Sequence, residues 1–298
     1  MNKDLEKLID DFYIYELKVE GKSEKSATFY SQHCREFIKE MNIENMEDLT
    51  NAKSKTIIDW LQMLTDRNNS PATRKIKLIS VKLLFNYLEF VKDYNIDKKI
   101  QQLKPPKQQQ KEKKYLTEEQ MQQMMNIAIN TKMKAAMSIL STTGVRFSEM
   151  IQITCTDIQN GYATIIGKGN KERTIWFTPN CQYLCNIFIN NRRKGIIREL
   201  NLDTDLLFIT NTGKTLGLHQ FNEYLKKIAR KAGISWYREV SAHTFRHSFI
   251  TKMIDKGTPI SNIRDMVGHT NIAITNTYAH SNKEAIKNIM LHQDDLGE

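Results

Sequence analysis

Residues 103–114 read LKPPKQQQKEKK and separate two parts of the chain. The adjacent prolines Pro105 and Pro106 are followed by polar and basic residues, which offer nothing apolar for a core; this composition is typical of a linker. A chain of 298 residues is long enough for two domains that each bury a core. We therefore predict an N-terminal domain over 1–102, a linker over 103–114 and a C-terminal domain over 115–298.

The part before the linker carries four stretches with apolar residues at helical spacing. This pattern predicts a four-helix bundle of roughly a hundred residues. The stretches are LEKLIDDFYIYELKVEG (5–21), SATFYSQHCREFIKEM (26–41), KTIIDWLQML (55–64) and SPATRKIKLISVKLLFNYLEFV (70–91).

The part after the linker is mostly helical, with one interruption. Thr117 stands three residues before Gln120, a capping-box spacing that begins a helix, and Gly144 ends the next helix. The stretch GYATIIGKGNKERTIWF (161–177) has two β-rich runs around a basic, glycine-containing turn, which predicts a hairpin. LLFIT (206–210) suggests a further short strand. The predicted fold class is mainly α with a small antiparallel β-sheet.

The formal charge of +10 points to an acidic partner, with nucleic acid first and a membrane surface second. Residues 1–107 hold 19 Lys and Arg against 17 Asp and Glu, and residues 108–298 hold 25 against 17, so the stronger preference for anions lies in the second domain. In the first domain ATRKIKLISVK is a candidate DNA contact or an ordinary solvated helix face. Its basic residues are Arg74, Lys75, Lys77 and Lys82.

No apolar run approaches the length that spans a membrane, and the N-terminus lacks the apolar core of a signal peptide. The four cysteines offer no disulfide framework. These features predict a cytoplasmic protein without a membrane partner. The TGKT stretch at 212–215 lacks the P-loop glycine, because Phe208 stands in that position, and no dinucleotide fingerprint occurs. We predict no cofactor.

The pentapeptide HTFRH (243–247) places His243, Arg246 and His247 on one face of a helix. It fits a metal site, an anion site or an ordinary helix. A metal site is disfavoured because the arginine would repel the cation. Two other segments favour an anion site: STTGVRFSEM (141–150) places Arg146 after a glycine turn at the start of a new helix, and MVGHTNIAITNTYAH (266–280) places a histidine nine residues before Tyr278.

Arg146, a basic hairpin lysine, H-x-x-R, Gly-His and a tyrosine nine residues later together resemble the tyrosine recombinase (phage integrase) family. The resemblance covers almost the whole chain, and the length is most similar to Xer-type recombinases and compact mobile-element integrases. It implies a core-binding (SAM-like) N-terminal domain and a tyrosine recombinase catalytic C-terminal domain. It also implies DNA cleavage through a covalent 3′-phosphotyrosyl intermediate, without metal or ATP. One departure from many members is Ile274 in place of the first of two threonines.

The resemblance assigns roles residue by residue. Tyr278 is the expected nucleophile, and a phenol must lose its proton as it attacks. Arginine suits the phosphate because its planar fork gives two parallel donors and stays charged. The expected site residues are Arg146 and Arg246 as the phosphate clamp, His243 as proton acceptor or phosphate ligand, His269 as phosphate donor and Lys168 as the acid for the 5′-oxygen, with Lys171 as its alternative. Further candidate DNA contacts are Arg74, Lys75, Lys77, Lys82, Lys171 and Arg173.

The expected partners are double-stranded DNA recombination sites and further recombinase protomers. The tail 281–298 carries an apolar set that is expected to join a homo- or hetero-tetramer on DNA, and packing on its own domain is the alternative. A partner recombinase or an accessory protein fits the same scheme. Two rival functions remain: a type IB topoisomerase with the same tyrosyl chemistry, and a non-catalytic DNA-binding regulator, because 261–278 resembles a helix-turn-helix.

Overall fold

A computed structural model describes residues 2–107, 114–167 and 172–268 of this protein. The chain divides into two compact units, Met1–Lys111 and Glu112–Glu298. This division falls inside the stretch 103–114, whose bounds as a linker stay a prediction. The two units are described separately below.

The first unit is helical throughout its ordered elements. The four long helices that the apolar spacing predicts are all present, and two short helices were not predicted. Ser23 and Ser70 each cap a helix through the side-chain oxygen, and Pro71 occupies the first turn after its cap. The helices are α1 (Lys3–Lys18), α2 (Glu24–Glu40), α3 (Met46–Asn51), α4 (Ser54–Asp66), α5 (Pro71–Phe90) and α6 (Lys99–Gln102).

Aromatic side chains fill the centre of this first unit. Phe12, Phe37, Trp60 and Phe85 come from the four long helices and are fully buried. The Phe37 ring meets the Trp60 ring edge-on, with 5.1 Å between the ring centres, and stands 6.3 Å from the Phe85 ring. Such edge-to-face pairs stabilise beyond the area they bury, so the bundle is held by one contiguous apolar core.

The second unit has nine α-helices and one hairpin within the described residues. The predicted capping box of Thr117 and Gln120 is present, and Gly144 ends a helix in the left-handed conformation as predicted. The elements are α7 (Glu118–Ile127), α8 (Thr131–Thr143), α9 (Phe147–Met150), α10 (Cys155–Asn160), β1 (Tyr162–Ile166), β2 (Glu172–Trp176), α11 (Pro179–Phe188), α12 (Lys194–Leu200), α13 (Leu218–Lys231), α14 (Ala242–Asp255) and α15 (Ile260–Val267).

The predicted hairpin is confirmed: β1 and β2 pair antiparallel, with Ala163 opposite Ile175 on the buried face. The predicted strand over 206–210 is wrong, since only two isolated bridges form there. One carbonyl group of this stretch is taken by Arg193, whose guanidinium donates to the carbonyl oxygen of Leu206 at 2.9 Å and to that of Thr204, just before the stretch, at 2.7 Å. The fold class, mainly α with a small antiparallel sheet, is confirmed.

Helix α8 lies at the centre of the second unit. Buried residues occur on all its faces, because α11 packs on one side and α14 on another. Because it is covered on several sides, α8 is the central helix of this unit's core. Within the described ranges no helix combines the length and the apolar character that a membrane span requires. The end of α8 leads directly into the residues that carry the candidate site.

Candidate active site

The turn after α8 brings that helix against α14. Gly144 adopts φ = 62°, a left-handed conformation that favours glycine. A Cβ placed on Gly144 would stand 2.3 Å from Cδ1 of the buried Phe249. The turn therefore needs glycine both for its backbone angle and for the close approach of α14. Arg146 follows two residues later as the N-cap of α9, as the sequence predicts.

Arg246 joins the ends of two helices. It lies in the middle of α14 and is 1% exposed. One terminal nitrogen, Nη1, donates to the carbonyl oxygen of Gly144 at 2.6 Å, and Nη2 donates to the carbonyl oxygen of Val267 at 2.6 Å. A buried guanidinium needs such acceptors, because leaving it without them costs far more than a normal hydrogen bond contributes. Arg246 thereby ties the turn after α8 to the end of α15.

Arg146 is the more accessible of the two arginines, with 38% of its side chain exposed. Its Nη1 donates to Oε1 of Glu149 at 2.9 Å, and its Nη2 donates to the carbonyl oxygen of Gly268 at 3.2 Å. The guanidinium is therefore oriented by a carboxylate on one side and by the end of α15 on the other, while the side chain stays partly exposed to solvent.

Glu149 is a site residue that the sequence reasoning missed. It caps the start of α9, since its Oε2 accepts from the backbone N–H of Arg146 at 2.8 Å. Arg173 also donates to Oε2, at 2.6 Å. Burial alone would raise the pKa of Glu149, but the hydrogen bonds from Arg173 and from Arg146 hold it below its usual value. The signal available in the sequence was a glutamate at the third helical position.

Arg173 lies in β2, and its expected role as a DNA contact stays a prediction. Only 9% of its side chain is exposed. Besides bonding Glu149, its Nε donates to the carbonyl oxygen of Met266 at 3.1 Å. Its donors are directed into the protein, where a carboxylate and a helix end accept them.

The two histidines of α14 lie one helical turn apart. The rings of His243 and His247 meet at a centroid distance of 4.3 Å and an angle of 73°. His243 is exposed, whereas His247 is half-buried beneath it. In the ranges that the structure describes, no group of three or more His, Cys, Asp or Glu side chains is arranged to hold a metal ion. The exposed imidazole of His243 is suited to proton transfer or to an anion.

The basic residues of α5 are either exposed to solvent or bonded to groups within the protein. Lys75 is exposed, and Arg74 is half-buried with Nη1 donating to Oγ1 of Thr65 at 2.6 Å. Lys77 is only 7% exposed and forms an ion pair with Glu36. A DNA contact by Lys77 would require this ion pair to break.

Lys82, on the same helix, holds the chain that follows α6. Its Nζ donates to the carbonyl oxygens of Gln101 at 2.6 Å and of Leu103 at 3.2 Å. Like Lys77, it therefore has an internal use that the sequence pattern did not reveal. Of the four basic residues on α5, Lys75 remains the one whose ammonium group faces solvent.

Lys168, Lys171, His269 and Tyr278 lie outside the described residues, so their predicted roles stay predictions. What the structure brings together is Arg146, Arg246, Glu149 and Arg173. All three arginines donate to carbonyl groups at the end of α15, directly before His269 in the sequence. With one carboxylate among three guanidinium groups, this cluster carries net positive charge and favours an anion.

Comparison with known proteins gives concordant matches over most of the chain. The phage integrase family matches residues 114–285, and the phage integrase N-terminal SAM-like domain matches residues 9–90. Tyrosine recombinase XerD of Oceanobacillus iheyensis is 28% identical over 293 residues, covering 96% of this chain and 97% of that protein. Tyrosine recombinase XerC of Anoxybacillus flavithermus is 26% identical over 296 residues, covering 95% and 96%.

A solved structure of the XerH site-specific recombinase, bound to a palindromic difH substrate in a post-cleavage complex, has a similar fold. Its TM-score is 0.71 at 21% identity, and the match covers 96% of this chain and 85% of that one. The similarity in fold therefore extends over both units of the chain.

Proposed function

Because the chain belongs to the phage integrase family and is a tyrosine-type site-specific recombinase, we propose that it breaks and rejoins duplex DNA through a covalent bond between Tyr278 and a 3′-phosphate. The observation that carries this proposal is the cluster at the end of α15. Arg146 and Arg246 meet there on the carbonyl groups of Val267 and Gly268, directly before the sequence that contains His269 and the tyrosine.

The arginines supply the charge that the reaction needs. A phosphodiester under attack gains negative charge on its non-bridging oxygens, and a reaction without a metal ion requires fixed cations there. Arg146 and Arg246 are already held in place by carboxylate and carbonyl acceptors, so little reorganisation is needed when the phosphate arrives. Removing one preorganised donor of this kind costs on the order of 10²- to 10³-fold in rate.

The remaining roles complete the proton balance. The phenol oxygen of Tyr278 forms a bond to phosphorus while the bond to the 5′-oxygen breaks. The phenol proton passes to a base, for which the exposed His243 is the candidate, and Lys168 or Lys171 gives a proton to the departing 5′-oxygen. His269 donates to a phosphate oxygen. The 5′-hydroxyl of another strand then attacks the phosphotyrosyl bond, so rejoining needs no ATP.

Strand exchange follows from two such rounds at paired sites. We propose that four protomers assemble on two DNA sites, joined through the tail 281–298, and pass through a Holliday junction. A second recombinase or an accessory protein is compatible with this scheme. The positive charge of the chain, +10, makes phosphate contacts dominant, so binding should fall steeply with salt. We propose that the enzyme acts in the cytoplasm, where bacterial DNA lies.

Covalent trapping tests the proposal. A nicked suicide substrate carries the cognate site, obtained from repeats that flank the gene or by selection of bound DNA. The expected result is a protein–DNA adduct that resists SDS and is missing in Tyr278→Phe. Tight binding of that DNA without any adduct, even with candidate partner proteins added, would refute the recombinase chemistry and favour the DNA-binding regulator. Relaxation of supercoiled DNA by a monomer would favour the topoisomerase.

A further inference from the structure

Arg173 uses three of its nitrogens inside the protein. Nη2 and Nη1 donate to the two carboxylate oxygens of Glu149, at 2.6 and 3.4 Å, and Nε donates to the carbonyl oxygen of Met266 at 3.1 Å. The ion pair is well shielded, since both side chains are 9% exposed. Paired arginine and carboxylate groups with this fork geometry fix the orientation of both partners.

Arg173 is also one of three arginines on three consecutive carbonyl groups. Arg173 bonds the carbonyl of Met266, Arg246 that of Val267 and Arg146 that of Gly268. The last carbonyl groups of a helix have no partner within the helix and carry its negative dipole end. Three cations from β2, from α14 and from the turn before α9 therefore hold the end of α15 at one point.

The glycine that ends α15 supplies independent evidence for close contact with Arg173. Gly268 has φ = 66°, and a Cβ on it would stand 2.9 Å from Nη1 and 3.1 Å from Cζ of Arg173. The guanidinium thus lies directly over the glycine backbone, where any side chain would displace it. The Gly-His pair of the sequence motif therefore needs glycine for two reasons: the left-handed backbone at the helix end and the close approach of this arginine.

We propose that Arg173 is a positioning residue for DNA cleavage, and not a DNA contact. It fixes Glu149, which in turn orients Arg146, and it fixes the end of α15 at which the chain continues to His269. In the sequence the candidate acid Lys168 stands between β1 and β2, and Arg173 ties β2 to the phosphate clamp. The expected effect on DNA cleavage rests on the proposed function. The expected effect on Glu149 and on the end of α15 rests only on the contacts of Arg173.

The test compares Arg173→Gln and Arg173→Lys with Arg198→Gln. Arg198 is exposed on α12, so its variant removes the same charge from the same unit without touching the cluster. Two quantities are measured: the Kd for cognate DNA with its salt dependence, and the rate of adduct formation at saturating DNA. For Arg173→Gln we expect a Kd within about twofold of that of the Arg198→Gln control and a rate lower by on the order of 10- to 100-fold.

The lysine variant separates geometry from charge. One ammonium group cannot reach Glu149 and the Met266 carbonyl with the spacing of a guanidinium fork, so Arg173→Lys is expected to recover only a small part of the rate. Full recovery by lysine would overturn the proposal. So would a Kd that rises tenfold or more with a salt slope reduced by about one while the saturated rate is kept, because that is the signature of a phosphate contact.

Gly268→Ala tests the same contact in a second way, because its Cβ would displace the guanidinium of Arg173. It should lower the saturated rate with little change in Kd. Its effect should be smaller in the Arg173→Gln background than in the wild type, because only the backbone strain at φ = 66° then remains and the clash with the guanidinium is gone. Independent, multiplying effects would contradict the proposal.

A readout without DNA distinguishes this inference from the proposed function. Amide hydrogen exchange of the peptide covering α15 should be faster in Arg173→Gln than in the wild type and in Arg198→Gln. Unchanged exchange would refute the role of Arg173 in holding the end of α15, whether or not the protein cleaves DNA. Faster exchange in a protein whose wild type forms no adduct would support that role while refuting the recombinase chemistry.

Discussion

Replacing Gly144 by alanine is expected to destabilise the second unit through two effects, one on the backbone and one on packing. The left-handed backbone angle of 62° costs an L residue about 1–2 kcal/mol. The added Cβ would stand 2.3 Å from Cδ1 of Phe249, so the buried ring must move. Overpacking of this kind costs about 1–3 kcal/mol. The expected loss is therefore about 2–5 kcal/mol.

Gly233→Ala is the matched control for this prediction. Gly233 lies in the same unit with φ = 72°, but a Cβ on it meets no heavy atom within 4 Å. It should lose only the backbone part, about 1–2 kcal/mol. The difference between the two variants then isolates the clash with Phe249.

Hydrogen exchange read by mass spectrometry suits this measurement. Peptides from α8 and α14 report the free energy of opening of the second unit, and peptides from α1 and α5 serve as an internal reference. Equal losses in Gly144→Ala and Gly233→Ala, within about 0.5 kcal/mol, would refute the reasoning. Phe249→Leu should cost less in the Gly144→Ala background than in the wild type, because the smaller side chain leaves room for the new methyl group.

Three further predictions concern buried titratable groups. Glu149→Gln should lower the saturated cleavage rate and the stability of the second unit. The pKa of Glu149 is depressed, so its stabilising effect is present above the usual carboxyl range, and the difference measured by urea unfolding should narrow as the pH falls through the folded pKa. Glu16 is 2% exposed, its Oε2 has no hydrogen-bond partner within the described ranges, and burial raises its pKa. Glu16→Leu should therefore stabilise the first unit by about 1–3 kcal/mol at pH 8, with a gain that vanishes on acidification as the folded carboxyl takes up a proton; no gain at pH 8 would contradict this. A thiol reagent should modify no cysteine in the native protein and all four in urea, because each is buried: Cys34, Cys155, Cys181 and Cys185.

Sequence alone predicted the features that depend on near neighbours. The capping box of Thr117 and Gln120, the helix end at Gly144 and the hairpin over 161–177 all involve groups within a few residues of one another. The residue types that form these turns and caps are close together in the sequence, so they can be recognised there. The same holds for the placement of Arg146 at the start of α9.

The features that the sequence did not reveal depend on distant partners. Glu36 lies 41 residues before Lys77, and Met266 lies 93 residues after Arg173. A lysine or arginine with an internal acceptor cannot be told from an exposed one by its spacing on a helix or strand. Glu149 was missed for the same reason, because a glutamate that caps a helix gains its second role only when β2 brings Arg173 beside it.

Because of these internal bonds, the net charge of the protein overstates the number of basic residues that contact DNA. Lys77 and Arg173 are paired with carboxylates, so they add little to the field that DNA meets. Lys82 bonds neutral carbonyl groups and so keeps its charge, although its ammonium group already has partners. Such a residue attracts DNA from a distance without adding a direct phosphate contact. The salt dependence of binding counts released counterions rather than basic residues, so its slope should be smaller than the +10 charge suggests.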